Sequence, residues 1–208
     1  MKQAYTIVVI GAGTAGISLA AHLLRQAPVL KERVAIIDPA QTHYFQPLWT
    51  FAGGGIVKKE ATMKKQSHLI PEGVHWIQKK VAEISPVENS LLLEDGTIIA
   101  YEILIVAAGI QIHWDHIKGL KESIGKNGVC STYSYNYTDA TWREIQQFKG
   151  GNAIFTHPNT PIKCGGAPPK IMYVAEEYFC QQDVRKKSKI MFQTVNPHIF
   201  MYHAMLPL

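Results

Sequence analysis

Cysteine is scarce in this 208-residue chain, with only Cys130, Cys164 and Cys180. None of the three shows CxxC or zinc-ligand spacing, so a disulfide scaffold and a zinc finger are both excluded. No apolar run approaches the length that spans a bilayer. Charged residues make up 18% of the chain against 47% hydrophobic, the balance of an ordinary globular protein with a sizeable core. Acidic residues number 16 against 21 basic ones. Part of that +5 excess sits in Lys58-Lys59, Lys64-Lys65, Lys79-Lys80 and Lys186-Lys187. These pairs fit solvated loop ends, or attraction to an anionic membrane surface. No recognition motif accompanies the charge, so nucleic acid is not an expected partner. Met1 to Tyr5 lead straight into an apolar run, leaving no room for a signal peptide; a first fold forming on the cytoplasmic side is expected.

What is present is concentrated at the start. Thr6-Ile7-Val8-Val9-Ile10 runs into Gly11-Ala12-Gly13-Thr14-Ala15-Gly16, which reads as a buried strand, a tight turn and a helix start. Gly11 permits the turn, Gly13 lets a pyrophosphate approach, and Gly16 lets helix and strand pack closely. The helix N-terminus adds free N–H groups and partial positive charge. A lone GxGxxG is weak evidence, but its context agrees. Ile17, Ala20, Ala21 and Leu24 recur at helical spacing, and a second strand over 33–37 ends at Asp38, where a carboxylate can accept from ribose hydroxyls. Dinucleotide binding is the expected role.

Residues 39–47 and the glycines at 53–55 read as an irregular region at the carboxyl edge of the sheet. Strands are expected over 74–77 and 80–84, and a hairpin over 90–100 turns at Asp95-Gly96. A separate buried strand over 101–109 ends in the small residues Ala107, Ala108 and Gly109. The next forty residues read as a Tyr-rich covering loop. His113 and His116 have the spacing of a metal pair, but no third ligand is read beside them and no metal is expected. A strand over 152–156, a helix carrying Ile171, Val174, Ala175, Tyr178 and Phe179, and a strand over 189–194 form a second βαβ start. Its loop holds prolines, Asn159, Thr160 and Cys164 in place of a glycine phosphate cradle.

Cys164 lies beside Lys163 and four residues before Pro168, read as the first residue of the helix. Those features suit a stabilised thiolate, and they equally suit an inert buried thiol. Cys180 is expected in the core, and Cys130 is left open.

Together these residues resemble the sulfide:quinone oxidoreductases, flavoproteins of the disulfide-reductase superfamily. The resemblance rests on the GAGTAG loop, Asp38, the Tyr44–Pro47 segment, the strand ending at Gly109, and above all Phe155 to Pro168. It implies an α/β fold of glutathione-reductase type: tandem Rossmann-like units, an FAD domain and an incomplete second domain. The expected division is 1–113 for the FAD domain, 114–149 as a connecting segment and 150–208 for the second unit. It further implies FAD held by Gly11, Gly13, Thr14, Ala15, Gly16, Asp38, Pro39, Gln46, Pro47, Ala108 and Gly109. Cys164 would be a redox cysteine, with Cys130 matching a third cysteine found in some bacterial members. Implied partners are sulfide, quinone, a sulfane-sulfur acceptor, the cytoplasmic side of the inner membrane and a possible second copy. Family members are about twice as long, so this chain corresponds to an N-terminal half without the second redox cysteine.

Overall fold

The structure, a computed structural model, describes residues 3–160 and 162–195. The expectation that residues 197–208 adopt no obvious element falls outside that range. The described residues divide into two compact units, residues 3–44 with 63–111, and residues 45–62 with 112–160 and 162–195. Residues 45–62, counted within 1–113 from the sequence, thus cluster with the second unit.

The first unit is built on β1 (Gln3–Ile10), α1 (Thr14–Gln26) and β2 (Val34–Ile37). A small antiparallel pair follows, β3 (Thr42–Tyr44) with β4 (Met63–Lys65). Then come β5 (Val74–Ile77), β6 (Val81–Ser85), β7 (Ser90–Leu93) and β8 (Ile98–Val106). Six of these strands form one sheet in the order β5-β2-β1-β8-β7-β6. The first four in that order, β5-β2-β1-β8, are parallel, and β7 and then β6 join antiparallel.

The period of two along β1 explains the layering. Ile7 and Val9 turn towards one face, where Ala20, Val34 and Ile36 are buried and Ile17, Leu23 and Leu24 of α1 pack. Val8 turns to the other face and meets Ile37, Leu91, Leu93 and Ile99. Each fully buried aliphatic side chain of this kind contributes about 1.5–3 kcal/mol.

The expected break between a hairpin arm and a following strand does not occur. Ile98 to Val106 form one strand, because no turn residue separates Ala100 from Tyr101. Its first three residues pair with β7, and the whole strand from Ile99 pairs with β1. Among the described residues, no strand pairs with the other edge of Glu102–Val106, and Ile103 and Val106 are 52% and 63% exposed.

The second unit contains α2 (Trp49–Gly53), α3 (Leu120–Ser123), α4 (Thr138–Gln147), β9 (Gly151–His157), α5 (Ala167–Gln181) and β10 (Ser188–Thr194). β9 and β10 pair in parallel across α5, as the second βαβ pattern predicts. Two stretches read as irregular are helical. Residues 49–53 form α2, with Trp49, Thr50, Ala52 and Gly53 buried. Within the Tyr-rich stretch, α4 buries Thr138, Ala140, Thr141 and Ile145. Around Ala175 and Phe179 of α5 gather Ile145, Trp142, Phe155 and Ile190. Close packing explains Gly54: a Cβ there would stand 2.2 Å from Val174 Cγ1.

Candidate functional site

In the first unit, the glycine turn is held by contacts that leave no space for side chains on its inner side. Gly11 has φ +103°, and a Cβ on it would lie 2.4 Å from the Ala107 carbonyl oxygen. A Cβ on Gly16 would lie 1.9 Å from the Gly11 carbonyl oxygen and 3.3 Å from Val9 Cγ1. On the outer side the arrangement is open. Gly13 and Gly109 have nothing within 4 Å of an added Cβ, and Gly13, Thr14, Ala15, Ala108 and Gly109 are exposed. Gly13 caps α1 without any side-chain hydrogen bond and no acidic residue lies in the first turn. The first N–H groups of α1 therefore point at an uncapped, open face, which suits an anion.

Asp38 follows β2 and is half-buried. Ala12 N–H donates to Asp38 Oδ2 at 2.7 Å and Ala40 N–H donates to Oδ1 at 2.8 Å. Trp76 Nε1–H donates to the Asp38 backbone oxygen at 3.0 Å. The carboxylate is thereby fixed beside the turn, and each oxygen keeps acceptor capacity for a ribose hydroxyl. Pro39 is exposed next to it.

Gln66, which no sequence motif marks, joins this site. Its side chain is 1% exposed, and Nε2–H donates to the Ala12 carbonyl oxygen at 2.8 Å. His43 Nδ1 lies 3.4 Å from the same oxygen. Without these partners a carbonyl of the glycine turn would be left without a side-chain donor. A polar residue 54 positions away carries no local signal of such a role.

The second unit holds Gln46, Pro47, Cys130 and Cys164. Gln46 and Pro47 are exposed in the 3-10 turn Gln46–Leu48 that leads into α2. Cys164 is exposed on the loop between β9 and α5. Its carbonyl oxygen accepts from Ala167 N–H at 3.1 Å and from Tyr133 Oη–H at 3.1 Å. Gly166 caps α5, and its Cβ position is 3.9 Å from Cys164 Sγ. The thiol thus stands at the start of a fifteen-residue helix. Pro168 is the second residue of that helix, one later than expected, since α5 begins at Ala167.

Two side chains register the sulfur electrostatically. Burial and then the charge of Cys164 push the Tyr133 hydroxyl up to about 12, so it remains a donor. Partial desolvation lowers the Lys163 ammonium from the usual lysine range, while Cys164 pulls it the other way.

Cys130 is exposed. Desolvation pushes its thiol up, a hydrogen bond with Thr141 opposes the shift, and Glu144 adds to it. Cys130 and Tyr133 line an open cavity of about 690 Å³ with Thr141, Glu144 and Phe155. Cys164 is not in its lining. Cys180, expected in the core, is exposed, because Ala175 and Phe179 take the inward face of α5.

The model of the pyridine nucleotide-disulphide oxidoreductase family matches residues 5–141. The chain belongs to that family. Members bind FAD, and the open glycine turn, uncapped α1 and fixed Asp38 fit its diphosphate and ribose. The chain is 43% identical over 199 residues to the mitochondrial sulfide:quinone oxidoreductase of Mus musculus, covering 96% of this chain and 44% of the relative. It is 40% identical over 201 residues to the corresponding protein of Dictyostelium discoideum, again 96% against 44%. The crystal structure of sulfide:quinone oxidoreductase from Aquifex aeolicus superposes with a TM-score of 0.77 at 23% identity, over 93% of this chain and 44% of that one. That likeness shows the fold. The chain spans less than half the length of each of these proteins.

Proposed function

We propose that this chain carries the FAD-binding and sulfur-handling half of a sulfide:quinone oxidoreductase. The observation that carries this reading is Cys164: an exposed thiol at the start of α5, where a second dinucleotide-binding unit would need a glycine cradle. Similarity to the relatives over 96% of the chain supports it. Gly11, Gly13, Thr14, Ala15 and Gly16 would hold the pyrophosphate, and Asp38 with Pro39 the adenosine ribose. Gln46, Pro47, Ala108 and Gly109 are assigned to the flavin part.

In this reading Cys164 Sγ forms an S–S bond with the sulfur of sulfide and holds the product as a persulfide. Joining a thiol and hydrogen sulfide as a persulfide releases two protons to solvent and two electrons; FAD, held by the residues above, would supply the two-electron acceptor from which quinone would draw them. An acceptor nucleophile then removes the terminal sulfur and returns the Cys164 thiolate. Tyr133 steadies the loop through the Cys164 carbonyl, and Lys163 places positive charge beside the sulfur. Cys130, whose thiol is pushed up by desolvation, is assigned a secondary part in storing sulfur. No helix among the described residues is long and apolar enough to cross a membrane. Peripheral attachment at the cytoplasmic side of the inner membrane, through the lysine pairs, is part of the proposal, as is self-association.

Adding either sulfide or NADH anaerobically to the FAD-loaded protein separates this reading from a NAD(P)H-linked flavin reductase. Sulfide is expected to bleach the flavin band and NADH to leave it intact. Bleaching by NADH alone would overturn the assignment. A second reading is FAD binding without turnover; then neither donor would bleach the band.

A further inference from the structure

His113, Asp115 and His116 lie outside the chemistry assigned above. Trp114–His116 form one turn of 3-10 helix with His113 as its N-cap, closed by His116 N–H donating to the His113 carbonyl oxygen at 3.3 Å. Residues three apart eclipse in a 3-10 helix, which is why spacing alone places both imidazoles on one face. Their ring centroids are 4.6 Å apart and the planes 9° from parallel. The residue between them on the inner side, Trp114, packs edge-on against Tyr137 at 5.8 Å and 89°. This contact anchors the turn within the second unit and leaves the three polar side chains exposed.

The third ligand that sequence spacing did not supply is Asp115. One ligand atom from each of His113, Asp115 and His116 lies within 4.8 Å of the others. In a tetrahedral site with metal–nitrogen bonds of about 2.0–2.1 Å, neighbouring ligand atoms stand about 3.3 Å apart. Closing from 4.8 Å to that spacing needs only side-chain rotation. All three side chains are exposed, and the ring that each histidine stacks on is that of its fellow ligand.

We propose that His113, Asp115 and His116 form a surface site for a borderline divalent transition-metal ion of the zinc class. Two imidazoles and one carboxylate suit zinc, copper(II) or nickel, whereas calcium and magnesium demand six or more oxygen ligands. Three ligands on one turn leave at least one coordination position open to water or an exogenous anion. The site therefore exchanges its metal readily, unlike a closed four-ligand structural site. Its formation does not depend on the sulfur chemistry of Cys164.

The test is titration of the chelator-stripped chain with zinc by calorimetry, with cobalt(II) as a spectroscopic substitute. One zinc per chain is expected. His113→Gln and His116→Gln should each weaken binding at least about tenfold, equivalent to 1.4 kcal/mol, with Asp115→Asn weakening it less. The cobalt spectrum should lack a thiolate charge-transfer band. In the unaltered chain, zinc should protect His113 and His116 from diethyl pyrocarbonate, read by peptide mass spectrometry; this readout needs no variant to fold. Absence of saturable binding, a thiolate band, or no protection of these two histidines would overturn the proposal.

Discussion

Gly16→Val is expected to abolish FAD binding and to unfold much of the first unit. The added Cβ would stand 1.9 Å from the Gly11 carbonyl oxygen, a backbone atom that β1 and the turn hold in place. The two further methyls of valine add to the crowding, with Val9 Cγ1 already 3.3 Å away. Overpacking of a closed core costs roughly 1–3 kcal/mol, and a backbone clash of this depth should take the loss to that upper end or beyond. Against a total stability of roughly 5–15 kcal/mol, that is a large share. Gly13→Ala separates binding from folding. Nothing lies within 4 Å of its Cβ, so the fold should hold while the methyl occupies space beside the proposed diphosphate. Urea midpoints and FAD fluorescence polarisation measure the two quantities. An unchanged midpoint and affinity in Gly16→Val would contradict the packing described.

Cys164→Ser should leave FAD bound and reduce the rate of sulfide-dependent flavin bleaching by at least about a thousandfold, the usual scale for removing a nucleophile. A hydroxyl keeps the shape of the loop, and the Tyr133 bond goes to the backbone carbonyl, which the substitution leaves in place. Serine cannot hold sulfane sulfur. Cys130→Ser should have a smaller effect, since burial disfavours the Cys130 thiolate and Cys164 lies outside the lining of its cavity. Stopped-flow absorbance under anaerobic conditions distinguishes them. Equal losses in both variants would show that the two thiols act as one unit.

The parts of this fold that could be read from residues are those where local chemistry and tertiary position agree. β1, the glycine turn and α1 form a continuous signal because the turn's own backbone geometry needs Gly11 and Gly16. Val74–Ile77 and the Asp95-Gly96 hairpin were equally legible from alternation and turn chemistry. The join of Ala100 to Tyr101 was not, because apolar runs carry no mark of where one strand would end and another begin. α2 was obscured by the glycines at 53–55, which read as loop and which close α2 and pass near side chains such as Val174. α4 was hidden by Thr138, Asp139 and Thr141, poor helix formers that tertiary packing overrides. Cys180 misled for the opposite reason, since its apolar surroundings in sequence lie on the buried side of α5 while it does not. At the site, the glycines and Asp38 were visible, and Gln66 was not, because its partner is a backbone oxygen far away in sequence.

The central claim is that Cys164 accepts the sulfur of sulfide. The most direct measurement is mass spectrometry of the Cys164-bearing peptide after the FAD-loaded protein reacts with substoichiometric sulfide without oxygen or acceptor. The account predicts the mass of one added sulfur on Cys164, lost when a sulfane-sulfur acceptor is supplied. Flavin bleaching with no sulfur added to Cys164 would contradict it.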